Sequence, residues 1–383
     1  MPAVAPGKNI FDTTIIPADA TPNSYCYLLK GKKVALIINQ TSKAGDSSML
    51  DILLQRNINV VKIFVPEHGF RGKEDAGADI AGDVDSATGI PVISLYGAHK
   101  KPSVEDISGI DIMVYDLQDV GARFYTYIST LEYCMEACAE NRKPFMVLDK
   151  PNPNGFYVDG PVLEKQNKSF VGMQAIPIVY GMTAGEYATM IAGENWFSSA
   201  GQTRLTVIKC SGYTHKKKYK LPVAPSPNLR TMAAVYAYPS LCLFEGTKVS
   251  VGRGTNMPFQ QYGCPAFEGE YVFIFTPESS EGAKKPLFEN SKCYGEVIGV
   301  TEDEVLRAID NKLQLKWLLK GYVACPAKNG YFNSFFIKLS GTASLQEQIE
   351  KGATEKEIRK SWEKGLENFK KIRKKYLLYK DFE

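Results

Sequence analysis

Histidine is scarce in this 383-residue chain, with only three, at positions 68, 99 and 215. Ser-His-Asp catalysis and histidine-rich zinc sites therefore have little material. Eight cysteines stand at 26, 134, 138, 210, 242, 264, 293 and 325, without a Cys-x-x-Cys pair. Only Cys134 and Cys138 are spaced to share a helical face, so the set reads as packing thiols rather than a metal centre or a disulfide framework. No apolar run approaches the roughly 20 residues that span a bilayer, so no transmembrane segment is expected. An excess of one charge is lacking too: 46 basic against 42 acidic residues leave +4, too little to point to nucleic acid. The basic runs 216–218 and 370–375 are local, and the second reads as the solvated face of a helix.

Several catalytic signatures are also missing. The turn after the first apolar run, Asn-Gln-Thr-Ser-Lys-Ala-Gly at 39–45, is not Gly-x-Gly-x-x-Gly, so a dinucleotide site has no fingerprint. There is no Walker A loop, His-Glu-x-x-His or Gly-x-Ser-x-Gly elbow, which weighs against P-loop ATPases, zinc peptidases and serine hydrolases. Residues 1–7 carry neither a basic n-region nor an apolar h-region. Either the protein is cytoplasmic or its export signal is not part of this sequence.

What is present is a row of short apolar runs at 34–38, 60–65, 91–95, 112–115 and 145–148, with 205–208 as a sixth. Helical patterns separate them, one over 126–140 with Leu131, Met135 and Cys138 on one side, another opening at Thr183 with Glu186 three residues on. Continuous apolar strands spaced by helices predict an α/β fold with a parallel sheet covered on both faces. Residues 221–300 are instead rich in Pro, Gly and aromatics. Two capped helices follow, one from Thr301 with Val305, Ile309 and Leu313 inward, one from Thr354 with Ile358, Trp362, Phe369, Ile372 and Tyr376 buried. The expected division is a domain over 1–215 and a smaller α+β domain over 216–383.

In such sheets ligands sit beyond the carboxyl ends of the strands. Three runs end in Glu67, Asp116 and Asp149. Any one of these acids alone reads as a turn residue or a helix cap; three at equivalent ends read as a shared acidic pocket. Crowded carboxylates raise one another's pKa, so that one holds a proton while another is ionised, the division that glycoside hydrolysis uses.

Four segments are unusually specific for loops: Pro66-Glu67-His68-Gly69-Phe70-Arg71-Gly72, the stretch Tyr115 to Tyr127 (YDLQDVGARFYTY), Leu148-Asp149-Lys150-Pro151-Asn152-Pro153-Asn154-Gly155, and in the second half Pro225-Ser226-Pro227-Asn228 with Phe244-Glu245-Gly246-Thr247 and Gly252-Arg253-Gly254-Thr255. In this order and spacing they resemble the exo-β-N-acetylmuramidase (NamZ) family, formerly a domain of unknown function, from about Val34 to Tyr379. The resemblance implies a Rossmann-like N-terminal domain, a smaller C-terminal domain with the active site in the cleft between them, and release of N-acetylmuramic acid from the non-reducing end of peptidoglycan fragments. No cofactor or metal is implied. The expected partners are muramic-acid-containing glycan fragments, and a periplasmic or secreted location follows from that polymer, with a cytoplasmic one as the alternative. One departure is Lys150, where the family pattern has Arg; a lysine is a point charge rather than a bidentate fork.

On this basis Glu67 is the expected general acid, with capping or an ion pair to Arg71 as its structural alternative. His68 orients it, contacts the sugar, or packs. Asp116 and Asp119 are candidates for the second carboxylate, with nucleophile and base roles both open. The lactyl carboxylate of muramic acid needs a cation, and Arg123 or Arg253 could clamp it; an ion pair of Arg123 with Asp116 or Asp119 is the alternative. Arg71, Gln118, Tyr125, Tyr127, Asp149, Asn152 and Glu245 complete the expected binding set. Two rival readings use the same acids: a metal-dependent hydrolase, and a glycan-binding protein without catalysis. Replacing Glu67 with Gln is expected to lower kcat by about 100-fold or more if it is the acid, read from turnover of a chromogenic muramide.

Overall fold

The computed structural model describes residues 16, 23–66 and 83–383. The apolar runs become strands: β1 Lys33–Ile37, β4 Asn59–Val65, β6 Pro91–Ser94, β7 Ile112–Tyr115, β8 Pro144–Leu148 and β9 Arg204–Ile208, with short β2 Lys43–Ala44, β3 Ser47–Ser48 and β5 Asp83–Val84. The main sheet has the order β5-β6-β4-β1-β7-β8-β9; all neighbours are parallel except the edge strand β5, which runs antiparallel to β6. The chain winds outward from β1 through β4 to β6, then returns to β7 and winds the other way, so the switch in direction lies between β1 and β7.

Alternation along the central strands explains why these runs are apolar at every position. Ala35 and Ile37, Met113 and Tyr115, and Phe145 and Val147 enter one core. Val34 and Leu36, Ile112 and Val114, and Met146 and Leu148 enter another. The first core holds the helices Tyr127–Glu140 and Ala184–Gly193 and runs without a break into the second half, to Val235, Trp317, Phe336 and Trp362. The second is closed by the helices Asn23–Leu29 and Met49–Gln55. All eight cysteines are buried and free, as packing thiols should be.

The second half carries an antiparallel sheet, β10 Gln261–Cys264, β11 Phe273–Phe275 and β12 Cys293–Val297, in the order β10-β12-β11. The architecture is α/β with a smaller α+β part. Thr183, Thr301 and Thr354 each make a reciprocal capping box with the glutamate three residues on. The helix from Thr301 stops at Ile309 and turns through left-handed Asp310 and Asn311, so Leu313 is buried beyond its end. In the closing helix Glu355–Lys374, Ile358, Trp362 and Phe369 are buried as expected, whereas Ile372 and Tyr376 are half-buried. The basic run is not wholly solvated: Arg373 is buried, bonded to the Gly181 carbonyl by Nε (2.9 Å) and Nη2 (2.7 Å) and to Asp381 by Nη1 (2.8 Å) and Nη2 (2.7 Å).

The segment after this helix returns to the first half. The Tyr379 hydroxyl donates to Asp149 Oδ2 (2.7 Å), Leu378 N donates to Glu186 Oε1 (2.8 Å), and His215 N donates to the Lys380 carbonyl (2.9 Å). Glu186 also faces His215 Nε2 at 3.0 Å, with both side chains fully buried.

Burial pushes Glu132 up to about 7, despite hydrogen bonds from Gln174 and Tyr187, and pushes Asp149 up to about 6. Unfolded carboxyls titrate near 4, so the native state keeps protons that the unfolded chain has lost between roughly pH 4 and 7. This contribution is full below the unfolded value and disappears as pH rises through the folded ones. Tm is therefore expected to fall between pH 5 and 8, and Glu132→Gln to flatten that slope in thermal melts.

Candidate active site

Two of the three strand-end acids, Asp116 and Asp149, lie among the described residues, and both are fully buried. Asp116, at the end of β7, has no solvent exposure and pairs with Lys150 Nζ at 3.1 Å. The same ammonium donates to the Thr41 carbonyl (2.8 Å), and Ser42 Oγ donates to the Asp116 carbonyl. Lysine at 150 thus bridges the loops after β1 and β7, a single-point role that an ammonium performs well. Asp119 is buried, with Oδ2 accepting from the Tyr180 hydroxyl and from Gly121 N (2.6 Å). Burial raises it to about 6, opposed by those donors. Asp149 accepts from Thr183 Oγ1 (2.7 Å), Gly185 N (2.8 Å) and Tyr379, which makes it an anchor for the start of helix Ala184–Gly193. Asp116, Asp119 and Asp149 are thus buried and engaged within the fold, and none of the three lines the cleft described below.

The loop polar groups are also turned inward. Gln118 Nε2 donates to the carbonyls of Asp119 and Pro151, both at 2.8 Å. Asn152 Nδ2 donates to the Met182 carbonyl (2.8 Å), while its Oδ1 accepts from Asn154 N (2.8 Å). Gly121 is left-handed (φ +78°), and a Cβ there would strike Asn152. Tyr125 and Tyr127 pack edge to face, 4.7 Å between centroids. The Tyr125 hydroxyl donates to the Pro225 carbonyl (2.7 Å), and that of Tyr127 accepts from Asn39 Nδ2 (2.8 Å). Glu67, His68 and Arg71 lie outside the described residues.

Arg123 is a staple rather than a clamp for substrate. Fully buried, it donates from Nη1 to the carbonyls of Pro161 (2.9 Å) and Ile176 (2.8 Å) and from Nη2 to that of Leu339 (2.8 Å). No carboxylate pairs with it among the described residues, so the alternative of an ion pair with Asp116 or Asp119 also fails. Burial pushes its pKa down to about 9, which leaves it charged at neutral pH.

A cavity of about 870 Å³ lies between the halves. Tyr96, Lys100, Phe124, Thr126 and Phe170 line it from the first half; Tyr238, Cys242, Glu245, Arg253, Lys284, Lys285, Leu287, Phe335 and Leu339 line it from the second. Phe124 and Thr126 alternate with Tyr125 and Tyr127, so the expected tyrosines face inward while their neighbours face the cleft. Of the expected site residues that are described, Glu245 and Arg253 lie here, with Arg253 Nε on Glu245 Oε1 at 2.6 Å. Cys242 Sγ stands 3.5 Å from Oε2. Burial opposes the charge of Arg253, but the Glu245 carboxylate outweighs it and holds the guanidinium above its usual range. Lys100, Lys285 and the aromatic walls went unnoticed in the sequence because a single lysine or phenylalanine in a loop has no pattern.

The family model for the exo-β-N-acetylmuramidase NamZ N-terminal domain matches residues 34–233, and that for its C-terminal domain residues 236–379. The chain belongs to the NamZ family. The peptidoglycan β-N-acetylmuramidase NamZ of Bacillus subtilis (strain 168) is 38% identical, with 92% of this chain and 88% of that protein covered. Two solved structures of DUF1343 family proteins from Bacteroides fragilis NCTC 9343 share the architecture. One is 45% identical at a TM-score of 0.88, covering 97% of this chain and all of that one; the other is 29% identical at 0.78, covering 96% and 99%. Within this NamZ fold, Arg123→Ala is expected to lower the unfolding free energy by about 3 kcal/mol or more, because three buried carbonyls lose their donor. Arg123→Lys is expected to recover only part of that loss, measured by urea denaturation.

Proposed function

We propose that this chain is an exo-acting β-N-acetylmuramidase that releases terminal N-acetylmuramic acid from the non-reducing end of peptidoglycan fragments, with its chemistry in the cleft between the two halves. The observation that carries this reading is the composition of that cleft. Among the described residues lining it, Glu245 is the sole carboxylate, set among aromatic faces and four cations. Sugars present apolar faces to aromatic rings, and muramic acid adds a negative charge. The activity named for the Bacillus subtilis relative supports the same assignment.

Glycoside hydrolysis uses a pair of carboxyl groups flanking the scissile bond. With Asp116 and Asp119 packed inside, Glu245 becomes the proposed second carboxylate beside the general acid Glu67, which rests on the family motif. Arg253 fixes one oxygen of Glu245. Its substrate is a cell-wall polymer, which supports a periplasmic or secreted site of action.

The test compares a chromogenic β-N-acetylmuramide with its N-acetylglucosaminide counterpart. The muramide is expected to be hydrolysed, and Glu245→Gln is expected to cut kcat by about 100-fold or more. Cleavage of the glucosaminide alone would overturn the substrate assignment, and a near-full rate in the variant would remove Glu245 from the chemistry.

A further inference from the structure

A carboxylate-bearing sugar in this cleft needs a cation to read it, and neither expected arginine is placed to do so. Arg123 is sealed in the interior by three carbonyls. Arg253 already holds Glu245 at 2.6 Å, and an incoming carboxylate would meet that negative charge at once. Among the described residues the remaining cations on the walls are lysines, and two of them stand on opposite sides.

Lys100 lies on the first half, in the segment that follows β6. Its neighbours on either side are tied down: His99 Nε2 to Asp106 Oδ2 at 2.7 Å, and Lys101 Nζ to Glu136 and Glu140 at 3.1 and 2.8 Å. Lys100 itself lies over the ring of Phe170, its ammonium 4.9 Å from the centroid. A cation–π contact holds an ammonium in place without neutralising it. Lys285 lies on the second half, on a loop that is pinned as well. Ser280 and Ala283 exchange backbone hydrogen bonds of 3.1 and 3.0 Å, and Asn228 Nδ2 donates to the Gly282 carbonyl at 2.7 Å. Pro286 is buried against left-handed Gly254, where a Cβ would come within 2.7 Å of it. Among the described residues no carboxylate pairs with Lys100 or Lys285. On a chain whose charges nearly cancel, two unneutralised ammonium groups on fixed backbones face one cleft.

We propose that Lys100 and Lys285 form a carboxylate-reading subsite across the cleft, and that the group it takes is the lactyl carboxylate of a terminal N-acetylmuramic acid; this rests on the glycosidase reading above. The two lysines contribute from both halves, so the acidic sugar is held only where the halves meet. Because Lys285 is exposed, part of the attraction is screened by salt.

The experiment uses the full chain, with Lys100→Met, Lys285→Met and the double variant. Each is assayed on a chromogenic muramide with a free lactyl carboxylate and on the same compound with that group amidated, at low and high salt. The wild type is expected to prefer the free carboxylate. Each substitution is expected to reduce that preference about tenfold, the loss of one charge-assisted hydrogen bond, chiefly through KM, and to weaken its salt dependence. Equal losses on both compounds, or an unchanged preference, would overturn the subsite. Calorimetric binding of N-acetylmuramic acid against N-acetylglucosamine separates the two readings. If the wild type turns over neither compound, the hydrolase reading fails, while the subsite stands or falls on whether the variants lose selectivity for the acidic sugar.

Discussion

The two halves of this molecule meet at a buried positive charge, Arg123, which has no counter-charge among the described residues. A guanidinium removed from water is costly unless its donors are met, and Arg123 meets that cost with carbonyls from three separate segments, at 161, 176 and 339. The last belongs to the helix Ser334–Ser340, which supplies Phe335 and Leu339 to the cleft; Phe124, on the opposite wall, is the next residue to Arg123. Packing between halves and the width of the cleft are therefore one constraint. Gly341 shares in it: its backbone is left-handed at φ +79°, and a Cβ there would lie 2.5 Å from the Arg123 Nη2 atom.

A doubly wound sheet ordinarily takes its ligand in the crevice at its switch point. The crevice at the switch between β1 and β7 is filled by Asp116, Lys150 and the Thr41 carbonyl. The general rule for such sheets correctly locates the crowded, polar end of the fold, but here that crowding braces the loops. The cleft proposed for substrate is lined by the second half and, among others, by Phe124 and Thr126, which alternate with the braced Tyr125 and Tyr127.

This division explains what could be read in the sequence. The six parallel strands were legible because strands buried on both faces are apolar throughout, and the helix starts because a Thr with Glu three residues on is a local signal. Family resemblance supplied Glu245 and Arg253. The fate of Asp116, Asp119 and Asp149 was not legible, since an acid that cups a helix start or grips a lysine looks the same in sequence as one that faces a sugar. Their partners, Lys150, Tyr180 and Tyr379, come from distant positions and are defined only by the folded chain. Arg373 illustrates the same point in reverse: its place in a basic run suggested solvent, while Gly181 and Asp381 draw it inside.

The return of the segment after the closing helix has a kinetic side. Asp149 and Tyr379 are 230 residues apart in the chain, and Glu186 and Leu378 are 192 apart. Contacts of such sequence separation raise the contact order, and chains dominated by them fold slowly because a long loop must close before the contact is gained. The parallel sheet can pair its strands early, yet two of its buried carboxylates receive their full set of donors only when this distant strand of chain arrives. The donor sets of Asp149 and Glu186 are thus complete only once the C-terminal segment has docked.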